Sequence, residues 1–292
     1  MKKSKNQTTA FNPVITSYAF DHGIVEGAFV KVPESQDLVI ITNGHNGFYS
    51  YGMFPAIQQG LAEAGISSFS YNFSHGGTRG QEDVFTDLDA YAKNCMRLEV
   101  ADLVAVCKAM HTAYPNQRVW LLGHSMGSIP TIFGARALLN EGVRPAGMIL
   151  LAPVSRLDFW PEKLIQEWAK TGTILMFNKR TGQHLPHGPE LLSEIQLAST
   201  LWNTRLALKS MFLPLVVIHG GADESVGPEH GQKLVEWVNE EDTNARLVII
   251  PDAGHTFGTR HPFEGNTAAL NRVIEEISQT IHHKGNPSIT RP

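Results

Sequence analysis

Short apolar runs bounded by Gly, Pro or Asn recur along the chain: Leu38–Ile41, Ser67–Phe73, Val119–Leu122, Met148–Leu151, Leu215–Ile218 and Leu247–Ile250. Runs that are apolar at nearly every position suit strands covered on both faces, as in a parallel sheet. Between them lie stretches of helical period. The last is the clearest, with Leu270, Val273, Ile274, Ile277 and Ile281 on one i, i+3, i+4, i+7, i+11 stripe. Strand alternating with helix predicts βαβ units and a mostly parallel, doubly wound α/β sheet. At the front, the pattern around Val25, Ala28 and Val30 within residues 14–32 predicts an antiparallel edge pair.

The alternation stops between Pro153 and Pro214. Phe159, Trp160, Trp168, Phe177 and Trp202 stand there among polar residues, and no convincing strand is present. Connections in α/β units take about 2 to 6 residues beyond their helix. Residues 154–213 therefore read as a lid or cap inserted into one domain spanning 14–292, with residues 1–13 as a flexible N-terminus. Binding crevices form outside the carboxyl ends of such strands, which makes Phe159, Trp160 and Trp168 candidates for a substrate-pocket wall. The alternative is a pair of helices whose aromatics simply pack on the sheet.

Composition narrows the partners. The 292 residues include 42% hydrophobic and 18% charged residues, an ordinary globular balance, with a net charge of -4. No basic face is implied, so no nucleic acid partner is expected. The basic start MKKSK precedes no apolar h-region, and no apolar run approaches the roughly 18 residues of a membrane span. Cys95 and Cys107 fall in one predicted helical region, about 18 Å apart along its axis, too far for a disulfide. A reducing cytoplasm is the expected compartment. No H-E-x-x-H or paired C-x-x-C pattern suggests a metal, and no cofactor is expected.

The chemistry centres on Gly123-His124-Ser125-Met126-Gly127, which follows a buried run and precedes a helical pattern over Ile129–Leu139. In a G-x-S-x-G turn between strand and helix, side chains at the two glycines would collide with neighbouring elements, and the serine is forced outward at a helix N-terminus. Serine is a weak nucleophile and needs a base oriented by a third group. The chain order Ser, Asp, His supplies one: Asp223 follows the Leu215–Ile218 run and His255 follows Leu247–Ile250. Both then emerge on the same sheet edge as Ser125. Asp252 and Glu224 are competing acids, Asp252 being read as a loop-shaping residue. His75, His124, His219 and His261 default to structural roles. Donors for an oxyanion are expected from the Met126 N–H and from the loop Thr42–Phe48, where His45 is preferred and Asn46 is the fallback; Phe48 is a further pocket candidate. A plain Asn-Gly turn is the alternative for that loop.

Asn72-Phe73-Ser74-His75-Gly76-Gly77, Gly123–Gly127, His219–Val226 and Gly254-His255-Thr256-Phe257 together resemble the α/β-hydrolase superfamily over roughly residues 20–283. More narrowly the chain resembles bacterial serine hydrolases of the dienelactone-hydrolase and prolyl-oligopeptidase-like group, which includes feruloyl esterases. The resemblance implies the fold and a Ser-His-Asp hydrolase and leaves the substrate open. Two departures concern the pocket lining: Asn43 stands where many members carry His, and Ser74-His75 where related sequences often have Arg-Gly.

The resulting expectation is an ester hydrolase acting on a small-molecule acyl substrate, with Ser125, His255 and Asp223 as the catalytic set. A small-peptide or aminoacyl-amide hydrolase is the first alternative, since the same three groups cleave amides. A binding protein that kept the fold without catalysis is the second. A dinucleotide-binding protein fits poorly, because the third glycine of G-x-G-x-x-G is missing.

Overall fold

The computed structural model describes residues 11–79, 84–209, 211–240 and 245–285. Most of the predicted N-terminal segment, residues 1–10, and the last seven positions of the predicted 14–292 domain lie outside the described residues. Phe11 packs on Val30, Val32 and Ala62.

Ten strands are described: β1 (Val14–Phe20), β2 (Gly23–Val30), β3 (Asp37–Thr42), β4 (Ser67–Asn72), β5 (Arg118–His124), β6 (Gly147–Leu151), β7 (Ile174–Asn178), β8 (Gln183–His187), β9 (Leu215–Gly220) and β10 (Ala245–Ile250). The helices are α1 (Met53–Glu63), α2 (Leu88–Ala92), α3 (Met96–Ala113), α4 (Ser128–Asn140), α5 (Glu162–Thr171), α6 (Pro189–Gln196), α7 (Ala198–Leu201), α8 (Thr204–Leu208), α9 (Glu229–Asn239) and α10 (Ala268–Gly285). Eight strands form one sheet in the order β1-β2-β4-β3-β5-β6-β9-β10. Pairing is antiparallel from β1 to β2 and from β2 to β4, and parallel from β4 onward. The six apolar runs are the six parallel strands, and the front segment is the edge pair.

Successive residues of each central strand point to opposite faces, so a wholly apolar run needs cover on both. Leu38, Ile40, Leu121, Leu150 and Val217 meet α3, α4 and α9 on one face. Val39, Ile41, Leu122, Ile149 and Ile218 meet α1 and α10 on the other. The α10 stripe behaves as its period demands, with Leu270, Val273, Ile277 and Ile281 fully buried. Each such side chain contributes about 1.5–3 kcal/mol on leaving water. Cys95 and Cys107 are buried free thiols at the start and within α3.

The segment between β6 and β9 corrects the expectation that it lacks strands. It holds α5 to α8 and an antiparallel hairpin, β7 with β8, paired from Ile174↔His187 to Asn178↔Gln183. β7 is the short apolar run Ile174–Phe177, bounded by Gly172 and Asn178 and overlooked in the sequence, with Leu175 and Phe177 exposed at 63% and 55%; β8 is the polar run Gln-His-Leu-Pro-His. The turn chemistry makes the hairpin. Asn178 Oδ1 accepts from the Arg180 N–H at 3.0 Å, and the Gly182 N–H donates to the Asn178 carbonyl at 2.9 Å. A third core, with Trp168, Leu157, Leu191, Ile195 and Trp202, seats this segment on Met126 and Ile129, at the start of α4.

Candidate active site

Ser125 opens a single 3-10 turn, Ser125–Gly127, between β5 and α4. Its φ is +55°, a left-handed conformation that costs a non-glycine residue of order 1–3 kcal/mol and is held by its surroundings. Both flanking glycines are required sterically. A β-carbon on Gly123 would lie 2.4 Å from Thr131 Oγ1, and one on Gly127 would lie 2.3 Å from the Asn43 carbonyl oxygen. The crowding that excludes side chains at these positions also fixes how far the serine projects.

His255 Nε2 lies 2.9 Å from Ser125 Oγ, and His255 Nδ1 lies 2.8 Å from Asp223 Oδ2. Asp223 Oδ1 accepts from the Ser225 and Val226 amides at 2.9 and 3.0 Å. His219, fully buried, has Nε2 2.9 Å from the Val226 carbonyl and 3.4 Å from Asp223 Oδ2. Burial alone would raise the Asp223 pKa; the bonds from His219, His255 and the Val226 amide outweigh it and hold the carboxyl well below the usual range. Asp223 is therefore an anion beside the imidazole. Asp252 is exposed, with φ +58°, and shapes the loop before His255.

The two loops are bound together. The Ala222 N–H donates to the Ala253 carbonyl at 3.0 Å, and His124 Nε2 lies 3.1 Å from the His255 carbonyl. Burial, and then the neighbouring His255, push the His124 pKa down to about 3. His124 is thus a neutral ring whose Nε2–H donates to that carbonyl, a structural role.

Across the serine lies the loop after β3. The Gly47 N–H donates to the Gly44 carbonyl at 2.9 Å, with Asn46 at φ +59°. A β-carbon on Gly44 would fall 2.9 Å from Ser125 Cβ, so the backbone passes directly over the serine. Asn43 Nδ2 donates to the Tyr71 carbonyl at 2.7 Å, and the Asn46 side chain accepts from Tyr91 OH. The His45 ring stacks on His187 at 4.9 Å and meets the edge of Trp160 at 5.5 Å. Burial, then His187 and Arg180, hold its pKa well below that of a free histidine, and its Nε2 is buried without a hydrogen-bond partner.

A cavity of about 30 Å³ beside Ser125 is lined by Gly44, His45, Gly47, Tyr51, Phe54, His124, Arg180, His255 and Thr256. The pocket candidates from the sequence distribute differently. Trp160 reaches His45, with Phe159 stacked outside it at 5.5 Å. Trp168 is 0% exposed and belongs to the third core. Phe48, 2% exposed, packs edge-on against Tyr51 and His261. Arg180, Tyr51 and Phe54 escaped the sequence reading. The signal for Arg180 was the Asn178–Gly182 stretch, whose Asn and Gly spacing marks a turn. Among the described residues no group of three or more His, Cys, Asp or Glu side chains is placed to hold a metal ion, and no helix is long and apolar enough to cross a membrane.

Comparison with known proteins agrees with this architecture. Monoglyceride lipase of Rattus norvegicus is 22% identical over 278 residues, covering 86% of this chain and 85% of the relative. Among solved structures, Est1E from Butyrivibrio proteoclasticus with ferulic acid bound superposes with a TM-score of 0.67 at 18% identity, over 92% of this chain and 98% of that one. A soluble variant of monoglyceride lipase from Saccharomyces cerevisiae gives 0.64 at 16% identity, over 97% of both chains. The model of the alpha/beta hydrolase family matches residues 39–269. The chain belongs to the alpha/beta hydrolase family.

Proposed function

We propose that the protein hydrolyses carboxylic esters through an acyl-enzyme on Ser125. The observation that carries this reading is the row Ser125 Oγ, His255, Asp223, with hydrogen-bond distances of 2.9 and 2.8 Å, at a serine held with φ +55°. Relatives named as lipases and esterases support an ester over an amide.

In this reading His255 Nε2 takes the Ser125 proton as Oγ attacks the ester carbonyl. Asp223 holds the Nδ1–H, fixing the tautomer, and its anion stabilises the imidazolium that forms. The tetrahedral oxyanion is met in this reading by the Met126 amide, which follows the serine in the chain, and by the His45 amide of the loop that passes over it. The imidazolium then protonates the leaving alcohol, and water activated by the same ring releases the acid. The 154–213 segment acts as the lid, with Trp160 meeting His45 edge-on beside His187. A fluorophosphonate probe should label the native protein and fail to label Ser125→Ala. Equal labelling of the two would remove Ser125 from the chemistry. Turnover of aminoacyl amides ahead of esters would shift the reading to a peptidase.

A further inference from the structure

One cation stands in the wall of the Ser125 cavity. Arg180 comes from the β7–β8 turn, far in sequence from the other lining residues, and its guanidinium lies over the Tyr51 ring, 4.6 Å from the centroid. Its backbone is fixed by the Asn178 side chain at 3.0 Å. Among the described residues no carboxylate lies within ion-pair distance of it, whereas Arg79, Arg97, Arg118, Arg205, Arg246 and Arg272 each pair with an acid. In the same wall the buried His45 Nε2 also has no partner. A guanidinium pinned over an aromatic face, in the wall of the cavity beside Ser125 and unneutralised by an acid, is suited to an anion with carboxylate geometry.

We propose that Arg180 is a specificity-determining residue that binds a carboxylate carried by the substrate, so that the preferred substrates are esters with a free carboxylate near the scissile carbonyl. The proposal rests on the reading of Ser125 as nucleophile. An uncharged acyl chain leaves the guanidinium solvated and gains nothing from it. A carboxylate gains a charge-assisted, bidentate hydrogen bond to a guanidinium held over the Tyr51 ring, on a residue that is itself exposed. Hydrogen bonds to charged groups correspond to roughly 10- to 100-fold in affinity. The lid thereby does more than exclude water, because its hairpin carries the selecting charge.

The test compares kcat/KM for monoethyl adipate and ethyl hexanoate, which differ by a terminal acyl-side carboxylate. A second pair, 4-butyryloxybenzoate and phenyl butyrate, places the charge on the alcohol side. The native protein should favour the charged member of at least one pair. Arg180→Gln should lower that charged-to-neutral ratio roughly 10- to 100-fold, mainly through KM, and Arg180→Lys should restore part of it. Which pair responds tells which side of the ester faces the arginine. A native protein with no preference for either charged member, or ratios within about twofold of native in Arg180→Gln, overturns the proposal; in the second case Arg180 serves only to hold Tyr51. Turnover of ethyl hexanoate by Ser125→Ala would instead overturn the nucleophile assignment, so the two failures are distinct.

Discussion

The carbonyl oxygen of Asn43 stands 2.3 Å from the place where a β-carbon on Gly127 would be. The end of β3 is thus pressed onto the first turn of α4, and the same contact sets the loop over Ser125. The Asn43 carbonyl oxygen and carbon and the Thr42 carbonyl oxygen lie 2.3, 2.9 and 2.9 Å from that β-carbon position. A side chain cannot be accommodated by rotating a rotamer, because the obstruction is backbone.

Gly127→Ala should therefore destabilise the protein by at least the roughly 1–3 kcal/mol of an overpacked core, and Gly127→Val by more. It should also lower kcat/KM, since the loop that carries Gly44 and His45 has to move. Urea denaturation and ester turnover measure the two effects. A soluble Gly127→Val with native midpoint and activity would contradict the elbow geometry.

Asp223→Asn tests the acid. The native carboxylate takes donors on both oxygens, two amides on Oδ1 and His255 on Oδ2. An amide offers one acceptor oxygen, so either the loop or the imidazole loses its partner. Ser125→Ala should cost about 10³ to 10⁶ in kcat, and Asp223→Asn a smaller but still large factor of about 10² to 10⁴. Both proteins should fold. The double variant should be scarcely worse than Ser125→Ala, because the groups act as a unit; fully additive losses would show that they do not.

Glu99 supplies a pH dependence of stability. It is 4% exposed on α3, where burial, with Asp102 and Glu194 nearby, pushes its pKa from 4.5 up to about 8. The folded protein keeps this proton while the unfolded chain loses it near pH 4.5, so the contribution is fully present below that pH. It is lost as pH rises from 4.5 to about 8. The slope is at most about 1.4 kcal/mol per pH unit. Glu99→Gln keeps an acceptor for Asn94 Nδ2, which donates to Oε1 at 2.8 Å, and cannot ionise. Its stability relative to native should rise across that window and stay level below it. A constant difference from pH 4 to 8 would mean that Glu99 is ionised in the fold.

Trp160 and Trp168 of the 154–213 segment should separate. Trp168 is 0% exposed within the third core, so Trp168→Ala should cost about 3–5 kcal/mol in stability. Trp160 packs on His45, and Trp160→Ala should act on bulky acyl esters, lowering kcat/KM about 10- to 200-fold more than for acetyl esters. Thermal melts and an acyl-length series distinguish the outcomes. Equal discrimination between acetyl and bulky esters in Trp160→Ala and native protein would leave the loop around His45 and Phe48 as the determinant of acyl preference.

The sheet was legible because its pattern is dictated locally. A strand buried on both faces is mostly apolar, and the six runs match β3, β4, β5, β6, β9 and β10 to within a few residues, although β4 buries Ser67, Ser68 and Ser70 and β10, at the sheet edge, is only part-buried. The amphipathic period of α10 and the glycine spacing at Ser125 are likewise consequences of nearest neighbours in sequence and of one-sided packing. Ser125, Asp223 and His255 could be singled out because each follows such a run, and parallel strands deliver their ends to a common edge.

What the chain pattern determined is therefore the layered frame and the loops that meet at its edge. Tertiary structure alone decided the rest. The β7–β8 hairpin pairs the apolar run Ile174–Phe177 with a polar run that lacks any strand pattern, and its turn carries Arg180 to a serine 55 positions earlier in the chain. Phe48 and Trp168 read as pocket aromatics yet are buried, because an aromatic side chain has the same sequence signature whether it lines a cavity or fills a core. Hydrophobic periodicity encodes which face of an element leaves water. It does not encode which distant element arrives there, and the wall of the cavity is made by that arrival.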